Sequence, residues 1–524
     1  MTISRAILAA AVLIGIAADA LLRDGFDGIA FALWIALLAA AALMLANRTR
    51  LRPTAEGRGW LAVAVLAAAS MAWRASPQLQ ALDFLATLFA LGVAAVVMGA
   101  PSAGLHAARL RDTVWAGARV LRDVFVGAVP LTIRELLAPS ARSMASQRGW
   151  PAARALLIVV VLLAVFGSLL RSADPVFASL VAFPELDIGT VMSHLVLTAF
   201  FAWVFAGWAR GAFISASAAS EPPAGTPASL GMSDVNATLG TLVVLFTLYV
   251  ATQLGVLFGG EDFLRARTGL TAASYARTGF FQMVVVAALV IPLLTATRAL
   301  LRPDPAIVRR HTQLALPTVV LLLAMIASAA FRMRLYVRFY GLSTERYYTL
   351  AIMTWLAFTL LWLTATTLRG REGRFWAGAV VSALATLAVL NIVVPDIVVA
   401  RVNVARATRA AAPARTPLDV EHLSTLSGDA APHVIAALLE STPPAAGDSD
   451  EAGMRKRRCT AATRLLTRWG PSSRAAARAD SPGGWRTWNA AERRALRVTA
   501  QSAADLQAVQ DASCGAAPTK VSSR

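Results

Sequence analysis

Residues 314–330 read LALPTVVLLLAMIASAA, and residues 331–348 read FRMRLYVRFYGLSTERYY. The first string is an unbroken apolar run of about 17 residues, long enough to cross a bilayer as a helix. The second sets Arg332, Arg334, Arg338 and Arg346 among Tyr336, Phe339, Tyr340, Tyr347 and Tyr348, and a new apolar run follows it. Lipid offers the backbone no hydrogen-bond partner, so a chain that alternates in this way crosses as helices and turns at the surface.

Composition carries that reading to the rest of the chain. Of its 524 residues 57% are hydrophobic and 15% charged, and the mean hydropathy is +0.61. A soluble domain carries about 25% charged residues. The net charge of +19 would point to nucleic acid in a soluble protein. Here the arginines stand at the ends of apolar runs, where they set orientation and meet anionic head groups, and no nucleic-acid partner is expected.

Further runs at 6–22, 29–46, 60–73, 82–100, 155–170, 188–208, 235–258, 280–296, 350–368 and 376–394 bring the expected number of spans to about eleven. No alternation suggests a barrel. The fold class is all-α, a polytopic helical membrane protein with a small C-terminal extracytoplasmic helical domain.

Arginine orients it. Arg48, Arg50, Arg52 and Arg58, the run from Arg109 to Arg148, Arg298 to Arg310, and Arg369 to Arg374 all fall in even-numbered connections, which marks that side as cytoplasmic. The N-terminus is then cytoplasmic and the C-terminus extracytoplasmic. The arginine and alanine bias fits a GC-rich bacterial genome, so the expected location is a bacterial inner membrane. Arg5 with a short apolar stretch and Ala18-Asp19-Ala20 also has the form of a cleavable signal peptide. Cleavage would leave the other spans oriented as before.

Four divisions follow: N-terminal transmembrane helices over 1–100, a basic amphipathic cytoplasmic connection over 101–152, a transmembrane core over 153–399, and the C-terminal domain over 400–524. In the last, helices are expected near 429–440, 451–469 and from 489. Cys459 and Cys514 are the only cysteines. Outside an inner membrane a disulfide between them is chemically allowed; two free thiols are the alternative.

Polar motifs gather on the same side as residues 330–348. Ser172-Ala173-Asp174-Pro175 follows the fifth run, Gln253 and Gly259-Gly260 end the seventh, Tyr275 to Gln282 opens the eighth, and Pro395-Asp396 with Arg401 and Asn403 follows the last. Gly259 and Gly260 are expected to cap a helix end. Candidate ligand-binding residues are Asp174, Arg277, Gln282, Arg332, Arg334, Tyr336, Arg338, Tyr340, Arg346, Asp396 and Arg401, because guanidinium and tyrosine groups can grip an anion and stack on an attached ring. His194 and Gln253 are intramembrane polar candidates.

These motifs, together with Leu257-Phe258, Met333-Arg334-Leu335-Tyr336, Tyr340-Gly341-Leu342 and Trp485-Arg486, resemble a bacterial family of many-span membrane proteins. It is catalogued as domain of unknown function 4173 and is related to the 4153 type. Where that family often has Asn-Pro-Asp, this chain has Val394-Pro395-Asp396. The resemblance implies a membrane location and no particular activity.

No paired carboxylates, phosphate loop or nucleophile elbow names a reaction, and no cofactor or metal is expected. The expected partners are the lipid bilayer and, on the extracytoplasmic side, a protein or an anionic envelope ligand. A secondary transporter using Asp19, His194, Asn236, Gln253, Gln282 and Asn391 is one alternative. An enzyme acting on a lipid-linked anion is another.

Overall fold

The computed structural model describes residues 3–48, 54–99, 110–137, 187–215, 230–268, 280–302, 304–408, 418–441 and 451–515, with Val159, Leu162 and Phe166 as isolated further positions. Among them every regular element is a helix, apart from a single bridge between Leu230 and Leu301. The first group is α1 Ile3–Leu22, α2 Ile29–Arg48, α3 Ala55–Trp73, α4 Pro77–Gly99, α5 Leu110–Val126, α6 Ala128–Leu137 and α7 Ile188–Arg210. The second is α8 Met232–Thr268, α9 Phe280–Ala299, α10 Pro305–Tyr340, α11 Thr344–Thr366 and α12 Glu372–Val393. After α13 Pro395–Thr408 come α14 Val420–Leu423, α15 Ala431–Glu440, α16 Glu451–Trp469, α17 Arg474–Asp480, α18 Ala490–Gln501 and α19 Ala503–Cys514.

Among the described residues, eight helices are long and apolar enough to cross a membrane: α1, α2, α4, α7, α8, α10, α11 and α12. The protein is an all-α, multi-pass membrane protein. The remaining expected runs differ in kind. Residues 60–73 lie in α3, whose first turn carries Glu56, and 280–296 lie in α9, whose apolar part spans only Val284–Ala299. Residues 155–170 lie outside the described residues, save the three isolated positions.

Each group of helices encloses its own core. Ile7, Phe31, Ile35 and Phe205 are buried where α1 to α4 pack with α7. Leu239, Leu294, Leu322, Leu360 and Phe375 are buried among α8 to α12. Outward-facing Leu13, Leu85, Val244, Leu361 and Ile392 on the spanning helices are exposed, forming the surface that lipid covers. The basic connection forms α5 and α6 and docks on α7, with Asp123 buried and paired to Arg122 at 3.1 Å and to Arg210 at 3.4 Å.

Helix ends follow local chemistry at several points. Gly341, at φ +81°, terminates α10, and Ser343 caps α11 by accepting from the Arg346 N–H at 3.4 Å. At 36 residues and about 1.5 Å per residue, α10 is longer than a bilayer is thick, so its arginine and tyrosine end stands at the membrane surface. Gly259 and Gly260 do not end a helix; α8 continues through them to Thr268. Glycine there is tolerated because the turns on either side keep the hydrogen-bond ladder intact.

The C-terminal helices complete their core with the ends of spans: Leu342, Val399 and Ala400 are buried together with Leu423, Val434, Leu438, Leu465 and Trp469. Arg464 donates to the Glu421 carbonyl at 3.1 Å and Arg468 to that of Leu426 at 2.9 Å, satisfying oxygens left open by the short α14 turn. A disulfide joins Cys459 on α16 to Cys514 on α19, with a Cα–Cα distance of 5.2 Å. By loop closure such a bridge contributes about 4 kcal/mol.

This assembly covers one end of the bundle. The α1–α2 turn donates Ile29 N–H to the Trp488 carbonyl at 3.0 Å and Ala30 N–H to that of Arg486 at 3.1 Å, and Asp24 pairs with Arg486 at 3.1 Å. The α3–α4 and α10–α11 turns and the α12–α13 junction meet it as well. The arginine-bearing turn from α11 to α12 lies at the opposite end of those helices.

Candidate functional site

The covered end holds a polar knot. Arg74, just past α3, donates Nε–H to the Asn391 carbonyl at 2.8 Å, and its Nη1 stands 3.7 Å from Asp429 Oδ1. The Ala75 N–H donates to Asp429 Oδ2 at 2.7 Å. Burial pushes the Asp429 carboxyl above the usual carboxylate range, against the opposing pull of the Ala75 N–H and Arg74. Asp396 is buried and accepts from Thr344 Oγ1 and from the Ser427 N–H, both at 3.2 Å. Asn403 binds Leu342 as a strand neighbour would: its Nδ2 donates to the Leu342 carbonyl at 2.6 Å and its Oδ1 accepts from the Leu342 N–H at 3.0 Å. A Cβ at position 341 would collide with that Oδ1, so glycine is required there for close approach as well as for its backbone angle.

Asn489 ties the knot to the first bundle. Its Nδ2 donates to the carbonyls of Met71 at 2.9 Å and Arg74 at 2.8 Å, while its Oδ1 caps α18 through the Ala491 and Glu492 N–H groups. One side chain thus satisfies the open end of α3 and the open start of α18.

Beside the knot lies a cleft of about 170 Å³ lined by Trp73, Arg74, Ile397, Asp429, Ala490, Ala491, Arg494 and Arg497. Three guanidinium groups face it against one carboxyl. Arg494 and Arg497 are three residues apart on α18 and exposed, so both can turn toward one guest. His433 on α15 is lowered from its ordinary value by burial and then by Arg401 and Arg494, which places those two cations near it.

The sequence candidates are distributed around this arrangement. Asp396 precedes Ile397 of the cleft wall and is engaged by Thr344 and Ser427, and Arg401 is exposed. Tyr336 and Tyr340 stack on each other with centroids 4.6 Å apart, and Arg346 lies over the Tyr336 ring at 4.3 Å while donating to the Gly341 carbonyl at 2.5 Å. Val337 and Tyr347 from the same stretch pack against the C-terminal core. Arg332 is half-buried, Arg334 and Gln282 are exposed, and the Arg338 side chain, Asp174 and Arg277 lie outside what is described. The 330–348 stretch is therefore a stacked corner that docks the C-terminal helices; the cleft lies elsewhere.

The intramembrane polar residues are dispersed. His194 Nδ1 and Asp19 Oδ2 are 2.5 Å apart, and Arg23 pairs with Asp19 at 2.7 Å. Ser193 donates to the Thr190 carbonyl at 2.8 Å, so the trio of serine, histidine and aspartate lacks the hydroxyl-to-imidazole bond of a nucleophilic triad. Gln253 accepts from Ser328 at 3.3 Å, Asn236 accepts from Arg310 at 2.7 Å, and Asn391 donates to Asp83 at 2.9 Å. No group of three or more metal-ligating side chains occurs among the described residues.

Sequence reading missed Arg74, Asp83, Asp429, Asn489, Arg494 and Arg497. Arg74 and Asp429 are 355 positions apart, and only a sequence signal for long-range pairing could have joined them.

A family model described as Domain of unknown function (DUF4153) matches residues 61–437. The chain belongs to this family. The resemblance read from the motifs named the adjacent 4173 type, related to the 4153 type; the DUF4153 match begins well before the first of those motifs and stops before Trp485-Arg486. It takes in the Arg74, Asp429 and Ile397 side of the cleft and leaves out the Arg494 and Arg497 side. No curated protein and no solved structure matches the chain.

Proposed function

We propose that this DUF4153 member binds an anionic ligand of the bacterial envelope at the extracytoplasmic end of its bundle. The observation that carries the reading is the cleft in which Arg74, Arg494 and Arg497 face one carboxyl. Arg494 and Arg497 supply planar donor forks suited to a phosphate or carboxylate. Trp73, exposed at the end of α3, has the amphipathic ring that settles at head-group level. Asp396 and Asp429 are engaged with backbone donors and Arg74, so they hold the walls in place.

The orientation is part of the proposal. Residues 400–524 form the extracytoplasmic domain, residues 101–152 the cytoplasmic basic connection, and the inner membrane is the location. The arginine-rich connections support it, as does a disulfide on the side opposite to them. Labelling of a cysteine introduced at Ser481 in intact cells should succeed with an impermeant reagent; labelling only after lysis would reverse the orientation.

Native mass spectrometry of the purified chain tests the ligand class. Phosphatidylglycerol adducts are expected at lower lipid concentration than phosphatidylcholine adducts, and Arg494→Gln with Arg497→Gln should weaken the former by about tenfold or more. Equal retention of the two lipids, unchanged in the double variant, would remove the anion reading.

A further inference from the structure

Asp83 on α4 and Asn391 near the end of α12 face each other where those two helices pack. Asn391 spends both amide hydrogens, one on Asp83 Oδ1 at 2.9 Å and one on the Leu387 carbonyl at 3.1 Å. The two oxygens left over, Asp83 Oδ2 and Asn391 Oδ1, are both buried without a hydrogen-bond partner, and Asp83 is 1% exposed. Two orphan acceptors on side chains already bonded to each other are costly in a buried place.

One proton removes both defects. An ionised carboxylate only accepts, whereas a neutral carboxyl donates from one oxygen and accepts at the other. A carboxamide offers the complementary pair. With a proton on Asp83 Oδ2 directed at Asn391 Oδ1, the side chains close a ring of two antiparallel hydrogen bonds and no acceptor is left over.

The charged surroundings favour a neutral occupant. Arg74 faces Asp83 from the end of α3, but its Nε serves the Asn391 carbonyl and its Nη1 stands by Asp429. From α11 the Tyr348 hydroxyl, 3.4 Å from Ser76 Oγ, faces Asp83, Asp396 and Asp429. Asp396 already has two donors. A single guanidinium therefore stands against two buried carboxyls, Asp83 and Asp429.

We propose that Asp83 and Asn391 form a proton-binding site whose occupancy leaves Arg74 to Asp429 and the cleft. When the proton leaves, the Asp83 carboxylate competes for that guanidinium. Linkage then makes the coupling reciprocal: an anion in the cleft draws Arg74 away from Asp83 and tightens the proton, and the proton tightens the anion. The coupling rests on the anion reading; the proton site does not.

Infrared spectroscopy of the full chain in lipid nanodiscs at neutral pH tests the site. A carboxylic-acid carbonyl band that shifts in D₂O is expected in the native chain and should vanish in Asp83→Asn, whose amide can close the same ring without a titrating group. Should that variant fail to fold, Asn391→Ala must shift the band, since the acceptor of the acid proton is gone. Identical acid-region spectra in native and variant chains overturn the proposal, as does a site that fills with sodium while the acid band stays absent.

Sulfate, which does not titrate near neutrality, probes the coupling. In weakly buffered nanodiscs its binding should take up protons in the native chain and fewer in Asp83→Asn, where only Asp429 in the cleft lining remains to gain one. Binding with no Asp83-dependent uptake overturns the coupling. No sulfate binding, with the infrared band intact, overturns the anion reading and leaves the proton site standing.

Discussion

Two clusters, each built on an aspartate paired with an arginine, sit at the same end of the helix bundle and do different work. Asp19, Arg23 and His194 join α1 to α7, with the His194 side chain 47% and the Arg23 side chain 32% exposed. Arg74, Asp83, Asn391 and Asp429 join α3, α4, α12 and the C-terminal helices, with the Asp429 side chain 2% exposed. The first is half open, with one ion pair between Arg23 and Asp19 and a hydrogen bond between Asp19 and His194. The second is largely buried under the C-terminal helices and opens only through the cleft beside Arg74 and Asp429, so each unpaired atom in it has a cost and each pairing a structural consequence. Cover makes the difference, since both are built on an Asp–Arg pair.

The largest expected break in that contrast is Asp429→Ala. It strips Arg74 of its counter-charge and the Ala75 N–H of its acceptor, and should cost about 3 kcal/mol in a detergent unfolding titration. Asp429→Asn keeps an acceptor and loses the penalty of a buried charge, so it should cost less than about 1 kcal/mol. Asn489→Ala opens the ends of α3 and α18 together and should cost about 2 kcal/mol by the same measurement.

Val394 gives a smaller and less intuitive effect. It is the only non-glycine among the described residues with positive φ, at 56°, and it is buried. Val394→Gly loses apolar burial but relieves about 1–3 kcal/mol of backbone strain, so the unfolding free energy should stay within about 1 kcal/mol of the native value. Val399→Gly, equally buried but inside α13, has no strain to relieve and should be clearly destabilised.

His433 tests the electrostatics of the covered region. Burial first, and then Arg401 and Arg494, hold its folded pKa below the unfolded value. The stability it contributes is present above about pH 6.5 and is lost as pH falls through the folded pKa. Unfolding midpoints should therefore drop between neutral and mildly acidic pH, and His433→Gln should flatten that slope. At the open cluster, Asp19→Asn should change stability by less than about 1 kcal/mol.

Much of the fold is legible in short stretches of the chain. Gly341 and Ser343 announce a helix stop and a helix start, and α16 spans the expected 451–469, because caps and apolar periodicity are local signals. The Gly259-Gly260 pair misleads, since glycine permits a helix end without requiring one. The candidate site is less legible. The density of arginine and tyrosine at 330–348 draws attention to residues whose rings stack on each other, while Arg74 and Asp429 stand in unremarkable local contexts.

By itself the sequence determined that this is a helical membrane protein and where many of its helices begin and end. Those properties depend on transfer from water to lipid and on hydrogen bonds between near neighbours, which a linear pattern encodes. Tertiary structure decided that Asp83 meets Asn391, that Asp429 meets Arg74, and that α18 forms a wall of the cleft at Arg74 and Asp429. Such pairings depend on which surfaces exclude water from one another, a property that no single stretch of chain possesses.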